Sequence, residues 1–239
     1  MPPLHRTLMP SRLRPRLLVL ALCHTLIFTL ACSRPQGQNY FPLADGSTWT
    51  YSGSLSSPDG KKPPLMVRAH ARVEGKTLIH GKEYSKYVIT AEFSGLTKTP
   101  KVSEDVRYYR MAPDGLRFLS GKNPDGEERL EIAMPIRIGV RWLSGTNEAW
   151  AERVGTIRAG TREYTDCLKI TYKSADGARR LEYYLAPGVG MVRAVDVDNS
   201  EPQTVMDITL TGASALSHRS FNHSSFLIRH YPALLWPGS

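Results

Sequence analysis

What most constrains this chain is the spacing of its turn signals. Ala112-Pro113-Asp114-Gly115, Asn123-Pro124-Asp125-Gly126 and Ala175-Asp176-Gly177 each separate two short β-rich runs. In such turns Pro presets φ and Gly accepts the left-handed region. From Leu65 to Glu74 the side chains alternate without a break, Leu65, Val67, Ala69, Ala71 and Val73 facing one way and Met66, Arg68, His70, Arg72 and Glu74 the other. A period of two is the mark of a half-buried antiparallel strand, and no stretch of the chain sustains the 3.6-residue period of a helix. The expected fold is all-β, a single antiparallel meander forming a sandwich or a curved half-barrel.

The remaining strands follow from the same reading. Trp49 and Tyr51 share a core face of a strand that starts after Asp45-Gly46, with Thr48 and Thr50 opposite. Residues 77–80 and 83–93 are strands, with Glu74-Gly75-Lys76 and Gly81-Lys82 as turns and 98–104 as a polar connection. Residues 106–111 and 116–120 form a hairpin, and 129–133 follows the Asn-Pro-Asp-Gly turn. Pro135 places 134–142 at an edge or in a connection, and 148–157 is expected as a strand pair around Gly155. Residues 168–173 pair with 179–185, the chain turns again at Ala186-Pro187-Gly188-Val189-Gly190, and Thr204, Met206, Ile208 and Leu210 share a face of a last strand ended by Gly212.

Ahead of this domain, Arg6, Arg12, Arg14 and Arg16 precede an apolar run from Leu17 to Cys32 that is broken by His24 and ends on the small residue Ala31. That order is the order of a secretory signal. The run falls short of the about 20 apolar residues that a spanning helix needs. Its end, Phe28-Thr29-Leu30-Ala31-Cys32, resembles the lipobox of bacterial lipoproteins, with Thr29 where Leu is usual. The resemblance implies cleavage between Ala31 and Cys32 and acylation of Cys32 by a diacylglyceryl group and palmitate-class chains. The alternative is a plain secretory signal cut near Ala31 that leaves Cys32 an incidental thiol. Each buried methylene contributes about 0.8 kcal/mol, so two or more acyl chains anchor a protein stably to a membrane it does not cross. In the lipoproteins this end resembles, Ser33 after the cysteine directs the product to the outer membrane where one exists. The expected organisation is a signal peptide over 1–31, a lipidated Cys32 and flexible tether over 32–39, a β domain over 40–212 and a poorly ordered tail over 213–239.

Losing the leader's four arginines brings the formal net charge of +9 down to about +5. No Lys/Arg run stands out, so nucleic acid is not an expected partner. With Cys23 removed and Cys32 acylated, Cys167 is the one thiol left and no intrachain disulfide can form. A domain of about 170 residues can hold a core without a covalent staple.

Two segments, Tyr40-Phe41-Pro42-Leu43 through Gly46, Trp49 and Tyr51, and Tyr184-Leu185-Ala186-Pro187-Gly188-Val189-Gly190-Met191-Val192, resemble a diffuse set of bacterial exported proteins and lipoproteins. Pro135 to Trp142, and Gly160-Thr161 leading to Asp166-Cys167-Leu168-Lys169, resemble the same set. The resemblance implies an all-β envelope protein and brings no catalytic residue with it.

No chemistry-bearing motif emerges. There is no His-Glu-x-x-His, paired Cys-x-x-Cys, Gly-x-Ser-x-Gly or Ser-x-x-Lys. Gly75-Lys76-Thr77 through Gly81-Lys82-Glu83 lacks the spacing of a phosphate loop. His70 and His80 fall on different strands as surface residues, and His218, His223 and His230 are irregularly spaced in the tail. Asp196-Val197-Asp198-Asn199-Ser200-Glu201 has oxygen ligands without a calcium loop's glycine, and reads as a solvated turn. Cys167 alternates with the inward Leu168, Ile170 and Tyr172, which turns it outward with Lys169 and Thr171; without an identifiable base it reads as structural. No cofactor, metal or catalytic residue is expected. The function expected is a non-enzymatic, lipid-anchored protein of the bacterial cell envelope whose β domain binds an apolar ligand or a partner protein. A structural or assembly component without a cavity is the alternative, and an envelope enzyme the remote one. A ligand pocket would be an apolar cavity of about 300 Å³ or more.

Overall fold

A computed structural model of the chain describes residues 40–60, 62–95 and 100–214. The leader, Ala31, Cys32, the tether over 33–39 and the three tail histidines lie outside the described residues. The described residues include twelve strands: β1 (Thr48–Ser56), β2 (Leu65–Ile79), β3 (Lys82–Ser94), β4 (Lys101–Ala112), β5 (Gly115–Ser120), β6 (Arg129–Ala133), β7 (Arg141–Ser144), β8 (Asn147–Ala159), β9 (Arg162–Lys173), β10 (Arg179–Ala186), β11 (Gly190–Asp198) and β12 (Thr204–Ser214).

They form one antiparallel sheet in the order β6-β5-β4-β3-β2-β1-β12-β11-β10-β9-β8-β7. Every neighbour is a sequence neighbour except β1 and β12, which pair from Thr48↔Ser214 to Ser56↔Val205 and join the two halves of the meander. The sheet curls until its edges β6 and β7 lie side by side. No ladder joins them. Side chains bridge the seam instead: Trp142 Nε1 donates to the Glu131 carbonyl (3.2 Å), Tyr172 OH donates to the same oxygen (3.1 Å), and Ser144 Oγ donates to the Glu131 carboxylate (3.4 Å). A bulge on β6 leaves Glu131 without a ladder partner on β5, and its carbonyl is satisfied from across the gap. The result is a nearly closed half-barrel.

The expected inner face of β2 is the observed one, with Val67, Ala69, Ala71 and Val73 buried beside Trp49 and Tyr51. The Pro-Asp-Gly turn closes the β4–β5 hairpin with Ala112 opposite Gly115, whose φ of 147° explains the glycine.

Several details differ from the sequence reading. Glu74-Gly75-Lys76 is a bulge within one long strand, not a turn: β2 runs on to Ile79, and Asp45 accepts the Gly75 N–H at 2.5 Å. Residues 148–157 are likewise one strand, β8, bulged at Gly155 rather than folded there, with its hairpin turn after Ala159. Strand β4 starts at Lys101, inside the expected polar connection, and β12 passes Gly212 to reach Ser214. Cys167 is buried, not outward, because Asp166 sits at φ 54° and the β8 bulges face it, so that both Cys167 and Leu168 turn into the core.

Both described termini lie at one end of the barrel, where β1 begins and β12 ends. Tyr40 to Leu43 cross that end as a plug. Tyr40 OH donates to the Asp166 carbonyl (2.8 Å), the Phe41 ring packs on Tyr109 and Tyr87 with centroids 4.9 and 6.3 Å away, and Leu43 O accepts from Ser85 Oγ (3.4 Å). Trp49 Nε1 donates to the Val189 carbonyl (2.7 Å), and Tyr51 OH to that of Met191 (3.2 Å). The two segments around Trp49 and Gly188, some 140 residues apart in sequence, therefore meet as one structure. Gly190 is part of the fit, since a Cβ there would stand 3.2 Å from the Pro42 ring at φ 93°.

Candidate functional site

Above the plug the barrel is hollow. A cavity of about 250 Å³ lies between the β1–β4 wall and the β10–β12 wall. Its floor and sides are Phe41, Tyr51, Tyr87, Tyr109, Tyr183 and Leu185, with Val67, Ala69, Ala71, Ala91 and Ala194 supplying small surfaces that leave the space open. The alternation of β2 explains this: the inward positions that carry Val and Leu elsewhere carry Ala at 69 and 71, and methyl groups do not reach the opposite wall. The volume falls just below the about 300 Å³ at which drug-sized pockets begin.

The cavity opens at the end remote from the termini. Phe93, Ser103, Arg179, Asp196 and Met206 line it there, near the end of β3, the start of β4, the start of β10, the end of β11 and the start of β12. Two ion pairs stand at this mouth, on facing walls. On β4, Arg107 Nε donates to Asp105 Oδ2 (2.6 Å) and Nη1 to Tyr109 OH (3.4 Å). Across the mouth, Arg179 grips both carboxylate oxygens of Asp196, with Nε to Oδ1 at 2.9 Å. Such a bidentate fork is the strongest form of the contact.

The interior carries one more charge-bearing group. Burial raises the Glu131 carboxyl above its usual range, against the opposing pull of Arg107, Ser144 and Arg129. Burial likewise pushes the Tyr87 and Tyr109 hydroxyls well up, so the floor is neutral at physiological pH. For Arg107 burial works against the charge, and Tyr109, Tyr183 and Asp105 outweigh it.

The candidate chemistry-bearing residues are scattered. His70 is exposed on the outer face of β2. His80 Nε2 stands 3.3 Å from an Asp125 oxygen in an exposed pair, outside any cleft. The Cys167 thiol donates to the Tyr164 carbonyl (3.2 Å), and burial raises its pKa. Asp196 is committed to Arg179 at the mouth, while Asp198 accepts the Ser200 N–H in a turn. Among the described residues no group of three or more His, Cys, Asp or Glu could hold a metal. A second hollow of about 510 Å³ lies outside the barrel between Trp150, Lys173, Arg180 and Gln203; mostly exposed side chains shape it, so it follows their rotamers.

Asp105, Arg107, Glu131 and Arg179 escaped the sequence reading. A signal was present for two of them. Counting back from the Pro-Asp-Gly turn pairs Tyr109 with Phe118, and parity then turns Arg107 and Asp105 inward.

No family model matches the chain, and no curated protein matches it. Solved structures that bear a partial likeness include two of bacterial proteins. One, described as an exported protein with a YmcC-like fold from Bacteroides fragilis, is 14% identical with a TM-score of 0.42, over 73% of this chain and 98% of that one. The other, described as a lipoprotein from Parabacteroides distasonis, is 12% identical with a TM-score of 0.31, over 74% and 99% respectively. At these levels the likeness carries no argument about function.

Proposed function

We propose that this protein is a lipid-anchored component of the bacterial cell envelope whose half-barrel takes the apolar part of a ligand into its interior. The observation that carries the reading is the cavity: an apolar hollow of about 250 Å³, plugged at one end by Phe41 and open at the other. A solid core would serve a purely structural role as well or better.

The leader and Cys32 supply the address. Seven residues separate Cys32 from Tyr40, so the eight backbone steps between them span at most about 28 Å when fully extended. That tether joins the barrel at its plugged end, so the mouth is the end farther from the attachment point. The ligand then exchanges with the periplasmic space or a facing surface. No catalytic role is proposed.

Two measurements test this. Native mass spectrometry of the protein purified from the envelope should find a copurifying apolar molecule, and its absence at every mild extraction condition defeats the ligand reading. Labelling with a radioactive fatty acid should mark the wild type and not Cys32→Ala, which should also leave the membrane fraction. Unchanged labelling and retention defeat the anchor.

A further inference from the structure

The mouth has a charge pattern that its walls do not need for packing, and that pattern selects the ligand's head. Resting on the proposed ligand-binding function, we infer that the ligand is a single-chain amphiphile with an uncharged, hydroxyl-bearing head group, its chain on the aromatic floor and its head between Asp105–Arg107 and Arg179–Asp196.

Each of the two guanidinium groups at the mouth is already matched by a carboxylate: Asp105 on Arg107, and Asp196, bidentate, on Arg179. The next charge-bearing group within reach of Arg107 is Glu131, another carboxyl. An anionic head would therefore have to displace Asp196 from its formed fork on Arg179, leaving that carboxylate without its partner, or share Arg107 with the like charge of Asp105. A cationic head meets two arginines held in place. Hydroxyl groups avoid both costs, because each can donate to a carboxylate oxygen and accept from a guanidinium N–H at once. Ser103, exposed on the same rim, adds a further hydroxyl partner.

The cavity sets the length. If a methylene occupies about the volume of a liquid water, about 30 Å³, the hollow holds about eight of them. A decyl-class chain fills it with its first carbons at the rim. That volume is used up by about eight methylenes in all, which suits one such chain rather than two.

The experiment compares three probes that share a decyl chain: 1-decanoylglycerol, decanoate and decyltrimethylammonium. Binding is measured by equilibrium dialysis below micellar concentrations, with the full-length protein in phosphatidylcholine nanodiscs and empty nanodiscs subtracted. The glycerol head should bind at least ten-fold tighter than either charged head. Asp196→Asn, which frees Arg179, should raise decanoate affinity at least ten-fold; Asp105→Asn should do the same from the facing wall, so the result does not hang on one variant's folding. Saturable binding that ignores the head group, or that favours either charged head in the wild type, overturns the head-group inference and leaves the cavity reading standing. Absence of saturable binding by all three probes overturns both.

Discussion

Ala194→Leu is the sharpest probe of the cavity. Ala194 is 2% exposed on β11 and contributes its methyl to the cavity wall. Leucine adds three carbons, about 90 Å³ at about 30 Å³ each, or about a third of the hollow. Filling an empty apolar cavity stabilises by about 24 cal/mol per Å³, which gives about 2 kcal/mol in the ligand-free protein. The same three carbons exclude three methylenes of ligand at about 0.8 kcal/mol each, a loss of about 2.4 kcal/mol or about 50-fold in affinity. The two effects have opposite signs, and that combination is the signature. Urea unfolding of the ligand-free protein should shift to higher midpoint at unchanged slope, while dialysis of a decyl probe shows the weakened binding. If the core is solid at this point, leucine overpacks it and costs about 1 to 3 kcal/mol. A lowered midpoint together with unchanged probe binding would refute the reasoning.

Three other outcomes follow from the geometry. Gly53→Ala places a Cβ into the Asp207 carbonyl of β12, at the pairing that joins the two halves of the sheet, and should cost at least about 3 kcal/mol; a variant melting like the wild type contradicts the β1–β12 register. Glu131→Gln removes a carboxyl whose folded pKa is raised above 4.5 by burial, so the folded state holds its proton more tightly than the unfolded chain. The wild type is then fully stabilised below about 4.5 and loses stability as pH rises through the folded value, whereas the glutamine variant does not, and unfolding from pH 4 to 7 should show the difference growing in the variant's favour. A difference that is flat or reversed contradicts the inward placement of Glu131. Trp142→Phe keeps the ring and deletes the bond to the Glu131 carbonyl, at a cost of about 1 kcal/mol, and hydrogen exchange should quicken along β6 relative to β2 and β3. Unchanged exchange there would mean that the seam does not depend on this contact.

The strands were legible wherever alternation and turn chemistry agreed. β2 and the β4–β5 hairpin are the clearest cases, because Ala69 and Ala71 alternate with His70 and Arg72, and Pro113 and Gly115 fix the register around them. Gly75 and Gly155 misled for a physical reason. A glycine at positive φ serves a turn and a bulge equally well, and only the partner strand's register tells them apart. Closure of β1 on β12 was invisible, since nothing local in Thr48 to Ser56 names a partner some 150 residues away. The site was the least legible part. On β4 the outward positions hold Val102, Val106 and Tyr108, while Asp105 and Arg107 face the cavity, so the polarity pattern reads inside out. Charged residues turned inward at the rim of a barrel break the pattern expected of a solid core, which is where a functional surface is expected to break it.

The central claim is that an apolar chain lies inside the half-barrel, and photolabelling tests it most directly. A decanoylglycerol carrying a diazirine near the chain end, added to the protein and irradiated, should mark inward residues of β3, β4 and β10, with Tyr87, Tyr109 and Tyr183 foremost. Excess unlabelled decanoylglycerol should abolish the marking. Labelling confined to exposed apolar residues of the outer surface, such as Met66, Val102 or Leu143, and resistant to that competition would contradict the account.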